Sequence, residues 1–275
     1  MKKLVLLILL LSNVIVNAQD KFEIFPDDLL IQPFSANTIE PKMGFVFQTS
    51  GNELRLDIGN SLDLLRYNVS EKESISFGAD LFTYTKLRKE GDFHFPVDAV
   101  DYLFGLNWGY VKKLDNSEFG VRLRFSHISA HLVDGRYDKK NMEWVEEHLP
   151  RVYSREFIEF FPYYKFNNLR VYAGYTYIYH IDPGYIGKNN YQAGFDYYLC
   201  GVINSFITPF AAYDIKIVDI DGKTANNSIN IGVKFGKPFG KGFSVYYHYY
   251  SGKSVHGEFY EFKKDYSAIG VNFDL

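Results

Sequence analysis

The sequence predicts an all-β protein: one antiparallel transmembrane β-barrel of about 12 strands. Three observations predict it. From residue 42 to residue 275, large apolar side chains alternate with small or polar ones at the two-residue period of a strand. Several of these stretches exceed ten residues, whereas strands of water-soluble domains cluster near ~5–6 and a tilted bilayer crossing takes ~9–11. The chain is also rich in aromatic residues, with 25 Phe, 23 Tyr and 2 Trp among 275 residues. Its mean hydropathy is nevertheless only −0.19, too low for a bundle of apolar helices.

The elements follow in order. Residues 1–18 have the pattern of a cleaved signal peptide, with basic Lys2-Lys3, an apolar run from Leu4 to Val16 and small-residue Ala18 at the cleavage point. That run is too short for a membrane-spanning helix, which needs ~17–25 apolar residues. Residues 19–41 carry Pro26, Pro33 and Pro41 and predict an irregular segment on the periplasmic side. Twelve alternating stretches follow: 42–49, 53–66, 73–87, 97–112, 118–132, 152–166, 169–180, 190–202, 206–218, 227–236, 242–251 and 262–275. The fourth is typical, with Val100, Tyr102, Phe104, Leu106, Trp108 and Tyr110 on one face and Asp101, Gly105, Asn107 and Gly109 on the other.

The second face of these strands collects Arg55, Asp57, Asp63, Asp80, Asp101, Arg122, Arg124, Arg170, Asp196, Asp214, Lys216 and Lys234. A secreted soluble sandwich would turn such a face to water. In a barrel it lines the lumen, and charges of both signs there favour a plugged interior over a wide channel. Connections after even-numbered strands are short (68–72, 113–117, 167–168, 203–205, 237–241). Those after odd-numbered strands are longer (88–96, 133–151, 181–189, 219–226, 252–261), except the tight first hairpin at 50–52. With the N-terminus in the periplasm, this asymmetry and an even strand number return the C-terminus there. The long strands, aromatic content and signal peptide together predict the outer membrane of a Gram-negative cell.

Charge and cysteine content exclude other classes. Thirty Lys and Arg against 33 Asp and Glu give a net charge of −3, with no case for nucleic acid. The single Cys200 allows no disulfide within the chain and no multi-thiolate zinc site; it falls on the inner face of strand eight, a structural position. His94, His148, His180, His248 and His256 have no metal-ligand spacing, and no cofactor is expected. Asp219, Asp221 and Asn226-Asn227 could bind calcium in a loop, but Asp221-Gly222 reads first as a turn. The expected partners are membrane lipids, with a second copy or a periplasmic protein as further possibilities.

One constellation carries chemistry. In the fifth strand Phe119, Val121, Leu123 and Phe125 face lipid, and the same parity carries His127, Ser129 and His131. The sixth strand, through Ile158 and Phe160, carries Glu156 and Ser154 on that face. Polar groups facing lipid are costly. Ser129 as nucleophile, His127 as base and Glu156 as the acid that orients it would form a serine hydrolase site on the outer wall. Asn141 is the second choice for third member. The bland alternative is an inert interfacial rim.

Pro26-Asp27-Asp28-Leu29-Leu30-Ile31-Gln32-Pro33-Phe34, His127-Ile128-Ser129-Ala130-His131 and Tyr153-Ser154-Arg155-Glu156 together resemble a family of uncharacterised Gram-negative outer-membrane barrels without assigned function. The His127-x-Ser129 pair also resembles outer membrane phospholipase A and lipid A 3-O-deacylase. The first of these families adds an Asn and the second a Glu, the type of Glu156. Both typically place Asn after the Ser, where this chain has Ala130. The resemblance implies a lipid-acting esterase of the phospholipase or deacylase type. The competing classes are a non-enzymatic structural barrel or narrow pore, and an accessory barrel that binds a partner.

Overall fold

A sheet of a dozen long, twisted strands curls, and here it closes on itself. The computed structural model describes residues 21–275; the expected signal peptide lies outside the described residues. The barrel strands are β1 (Met43–Gln48), β2 (Glu53–Ser70), β3 (Glu73–Arg88), β4 (Val97–Lys113), β5 (Ser117–Leu132) and β6 (Tyr153–Phe166). They continue as β7 (Leu169–Asp182), β8 (Asn189–Tyr198), β9 (Ile207–Asp219), β10 (Lys223–Gly236), β11 (Gly242–Lys253) and β12 (Lys263–Asp274). Each pairs antiparallel with its sequence neighbours, and β12 pairs with β1 through Phe273 opposite Met43, closing twelve strands without a free edge.

Short turns at 71–72, 114–116 and 167–168 gather at one end, and the long loops 89–96 and 133–152 at the other, as the sequence predicts. Two boundaries differ. The link between β8 and β9 spans 199–206, because β8 ends at Tyr198, four residues short of the expected limit. Cys200 therefore lies in that turn, exposed, and not on an inner strand face. Conversely, β9 and β10 meet in a tight turn, 220–222, with Asp221 and Gly222 at positive φ.

The outward face is apolar: Leu62, Leu81, Phe104, Leu106, Phe160, Val171, Tyr177 and Ile231 are all exposed. The lumen is the reverse, and all twelve charges assigned to it are buried. Most are held in opposite-sign pairs, among them Arg124 Nε to Glu159 at 2.8 Å and Arg170 Nε to Asp196 at 2.8 Å, while Asp214 accepts from Tyr172 and Gln192 at 2.6 Å each. An unpaired charge at such depth would cost several kcal/mol, so a filled lumen has to carry both signs.

The irregular N-terminal segment corrects the expectation that residues 19–41 lie outside the barrel in the periplasm. Phe22–Ile24 forms a short strand on β2, opposite Leu65–Tyr67, while β1 pairs with β2 at 54–57. The first strand is thus split, and the chain between its halves enters the lumen. Three prolines deny that segment a ladder of its own, so its backbone groups pair with lumenal side chains. The Leu30 amide donates to Asp63 (2.7 Å) and the Ser35 amide to Asp196 (2.9 Å). Arg170 donates to the carbonyls of Gln32 (2.7 Å) and Pro33 (2.6 Å). Phe34 stacks on Tyr172 at 4.0 Å between centroids, between the Arg122 and Arg170 guanidinium groups. Gly109 gives the plug room, since a Cβ there would press on Ile31.

The other mouth is capped by loop 254–262. His256 Nδ1 lies 2.8 Å from Asp101 Oδ2, and the Gly257 amide donates to Asp101 Oδ1 at 2.7 Å. Phe259 and Tyr260 are buried beneath loop 133–152, where His148 stacks on Phe259 at 4.6 Å.

Candidate active site on the outer wall

β5 presents His127 and Ser129 outward because its alternation is unbroken: Arg122, Arg124, Ser126, Ile128 and Ala130 are buried, and the odd-numbered residues between them are not. β6 follows the same logic, with Phe157 and Glu159 buried and Glu156 facing out. The β5–β6 register sets His127 directly opposite Glu156 and Ser129 opposite Ser154. Opposed residues in an antiparallel pair hold their Cβ atoms about 5 Å apart, and the side chains close that gap. His127 Nδ1 is 2.6 Å from Glu156 Oε1. An ionised carboxylate only accepts, so Nδ1 carries the proton and Nε2 is left as the basic nitrogen.

Phe104, opposite His127 on β4, packs its ring 4.8 Å from the imidazole and limits its movement on the other side. His127 and Glu156 are each about one-quarter exposed, 25% and 26%. Ser129 lies two residues further along the same face and is partly exposed. Among the described residues no hydrogen bond joins its hydroxyl to His127. Asn141 is elsewhere: its amide donates to Asp138 at 2.9 Å in an exposed turn of loop 133–152.

The set has a member that alternation hides. His180 has the parity of Arg170, Tyr172, Thr176 and Ile178, which are buried toward the lumen. A β-bulge at Tyr179 shifts the register, with Ile178 opposite Phe157 but His180 opposite Glu156. The shift turns His180 outward and Ile181 inward, and His180 Nδ1 comes 2.5 Å from Glu156 Oε2. Glu156 thus bridges two imidazoles across three strands. Residue types alone gave no warning, since a bulge is an extra residue and not a composition.

The row Phe104–His127–Glu156–His180 crosses the barrel where its apolar band ends. Below it on β5 and β6 lie Phe125, Leu123, Ile158 and Phe160; beyond it lie Ser129, His131 and Ser154, next to loop 133–152.

The family described as "Protein of unknown function (DUF1207)" matches residues 92–275, two-thirds of the sequence. The chain belongs to this family. No curated protein sequence matches it. Among solved structures, outer membrane phospholipase A from Escherichia coli aligns at a TM-score of 0.56 and 15% identity, over 88% of this chain and 93% of that one. The Salmonella typhi outer membrane phospholipase, a dimer with bound calcium, aligns at 0.55 and 15% identity, over 88% and 93% of the two chains. LpxR from Salmonella typhimurium aligns at only 0.35, with 10% identity over 81% of this chain and 88% of that one, below the level at which a shared fold can be argued. The fold of this DUF1207 chain is therefore that of the outer-membrane barrels. Among its described residues no group of three or more His, Cys, Asp or Glu side chains is placed to hold a metal ion.

Proposed function

We propose that this protein is an outer-membrane serine hydrolase that cleaves acyl esters of membrane lipids at the outer wall of the barrel. The observation that carries the reading is the 2.6 Å contact of His127 Nδ1 with Glu156, two residues from Ser129 on the same outward face. In this reading Nε2 of His127 takes the Ser129 hydroxyl proton as Oγ attacks the ester carbonyl carbon. The tetrahedral intermediate collapses, the bond from carbon to the alcohol oxygen breaks, and His127 returns the proton to the departing lysolipid. Water, deprotonated by His127, then attacks the acyl-serine and releases the fatty acid. Glu156 holds the imidazole in the required tautomer and stabilises its cation.

The open Ser129–His127 gap is compatible with this, because catalytic hydrogen bonds often tighten only when substrate is bound. The position at the limit of the apolar band suits the ester level of a lipid whose chains lie against Phe125, Ile158 and Phe160.

The test is fatty-acid release from phospholipid or lipid A in mixed micelles. The parent should turn over, and Ser129→Ala should reduce the rate by about four orders of magnitude, as loss of a triad member does. A fluorophosphonate probe should label Ser129 and no other serine. Equal rates in parent and Ser129→Ala would leave a non-enzymatic barrel as the better reading.

A further inference from the structure

We infer that His180 is a positioning residue of this site, clamping Glu156 so that Glu156 can in turn hold His127. The inference rests on the reading of Ser129 as nucleophile, and it gives β7 a part in the site.

The first support is the bulge. β7 alternates without interruption from Leu169 to Ile178, and its partner β6 alternates throughout. The one irregularity between them falls where it delivers an imidazole to the outer wall. A bulge leaves a residue unpaired in the ladder, and bulges recur beside sites where a side chain must be re-aimed. Without the extra residue, His180 would point into a lumen already filled by Tyr153, Ile178 and Tyr260, and Ile181 would point outward.

The second support is the geometry of Glu156. A carboxylate on an open barrel wall has several rotatable bonds and water on one side. One hydrogen bond to His127 leaves it free to swing about that contact. His180 takes the second oxygen, at 2.5 Å, so both carboxylate oxygens are engaged on opposite flanks. The carboxyl plane is then fixed between β5 and β7, and the tautomer of His127 with it. His131 and Asp182 also face outward nearby, but among the described residues neither hydrogen-bonds Glu156.

The experiment compares the parent, His180→Ala, His180→Gln and Ser129→Ala, each in detergent micelles and each checked for folding by heat-modifiable mobility. Two readouts are taken: kcat and KM on a micellar ester, and the imidazole 15N spectrum of His127 in protein labelled at histidine. Loss of one charge-assisted hydrogen bond in His180→Ala should lower kcat by about tenfold and leave KM within about twofold. The Nδ1–H signature of His127 should weaken in parallel. His180→Gln, whose amide can still donate to Glu156, should restore most of both. Unchanged kcat and an unchanged His127 spectrum in His180→Ala would overturn the inference. If Ser129→Ala is as active as the parent, the nucleophile reading fails, and the spectrum alone then decides whether His180 positions Glu156.

Discussion

The lumenal plug offers the strongest quantitative test of the fold. Glu40 is fully buried and accepts hydrogen bonds from Arg122 Nη1 (2.9 Å), Arg122 Nη2 (2.5 Å) and Asn37 Nδ2 (2.8 Å), with Arg124 Nη1 at 3.7 Å. In Glu40→Ala, Arg124 keeps Glu159, but Arg122 keeps no carboxylate at all. With the plug docked, that guanidinium is buried without a counter-charge; with the plug withdrawn, water reaches it. The substitution therefore penalises the docked state, and removal of one partner of a buried pair costs ~3–5 kcal/mol. A water molecule admitted to the adjoining cavity of about 40 Å³ would recover part of this. Taking ~3 kcal/mol, docking weakens on the order of a hundredfold, at ~1.4 kcal/mol per factor of ten. The assay is thiol labelling of Ser35→Cys in a Cys200→Ser background, because Ser35 lies on the plug and is shielded by Asp196 and Tyr198. Glu40→Ala should raise the labelling rate by about two orders of magnitude, and Glu40→Gln by less, since its amide oxygen still accepts from Arg122. Labelling of Glu40→Ala at the parent's rate would refute the argument that this pair holds the plug.

Two further outcomes are expected elsewhere in the molecule. Burial first, and then the Arg151 charge, hold the His148 imidazole in the cap below its usual 6.5. A depressed value means stability that is present above the ordinary pKa and lost as pH falls through the lowered one. Proteolysis of loop 133–152 should accordingly rise on acidification from about pH 7.5 to about pH 5.5, and His148→Gln should flatten that dependence. Burial raises Glu258, whose contribution has the opposite sign and fades as pH rises above the carboxylate range; a loop more resistant at the acid end would show that Glu258 dominates the cap. Cys200, exposed in the turn after β8 at the short-turn end, should react with a membrane-impermeant maleimide only in cells whose outer membrane has been permeabilised. Labelling in intact cells would reverse the orientation assigned to the barrel.

Most of the architecture was legible because period-two alternation is a local property that a barrel obeys strand by strand. The twelve lumenal charges could be named from parity alone, and parity also put His127 and Glu156 on one face of neighbouring strands; the register that sets them opposite each other comes from the structure. What escaped were features that depend on the third dimension or on an added residue. The route of residues 25–42 is decided by Asp63, Asp196, Arg170 and Asn230, side chains distant in sequence whose demand for partners no local pattern reveals. The β8–β9 boundary differs because Leu199 to Val202 continues the alternation of β8, yet the chain turns at Gly201, which has φ +78°. Parity continued from Arg170 and Thr176 would put His180 in the lumen, and composition does not mark the bulge at Tyr179 that turns it outward.

These features bear on where any activity can reside. Conduction through this lumen would require an ion to pass Phe34 between two arginines and then the Glu40–Arg122 pair, and at the other mouth the Asp101–His256–Gly257 cap. Each is a buried polar set whose disruption leaves a charge unpaired, so the packed interior opposes a pore. The outer wall has the opposite character. There, at the end of an apolar band, stands a chain of ionisable groups, His127, Glu156 and His180, assembled across three strands and completed by a break in β7. Polar groups at the edge of a lipid-facing surface are expensive to keep. A lumen filled at both mouths and a bulge that adds an imidazole to this cluster together make the outer surface the place to look for chemistry.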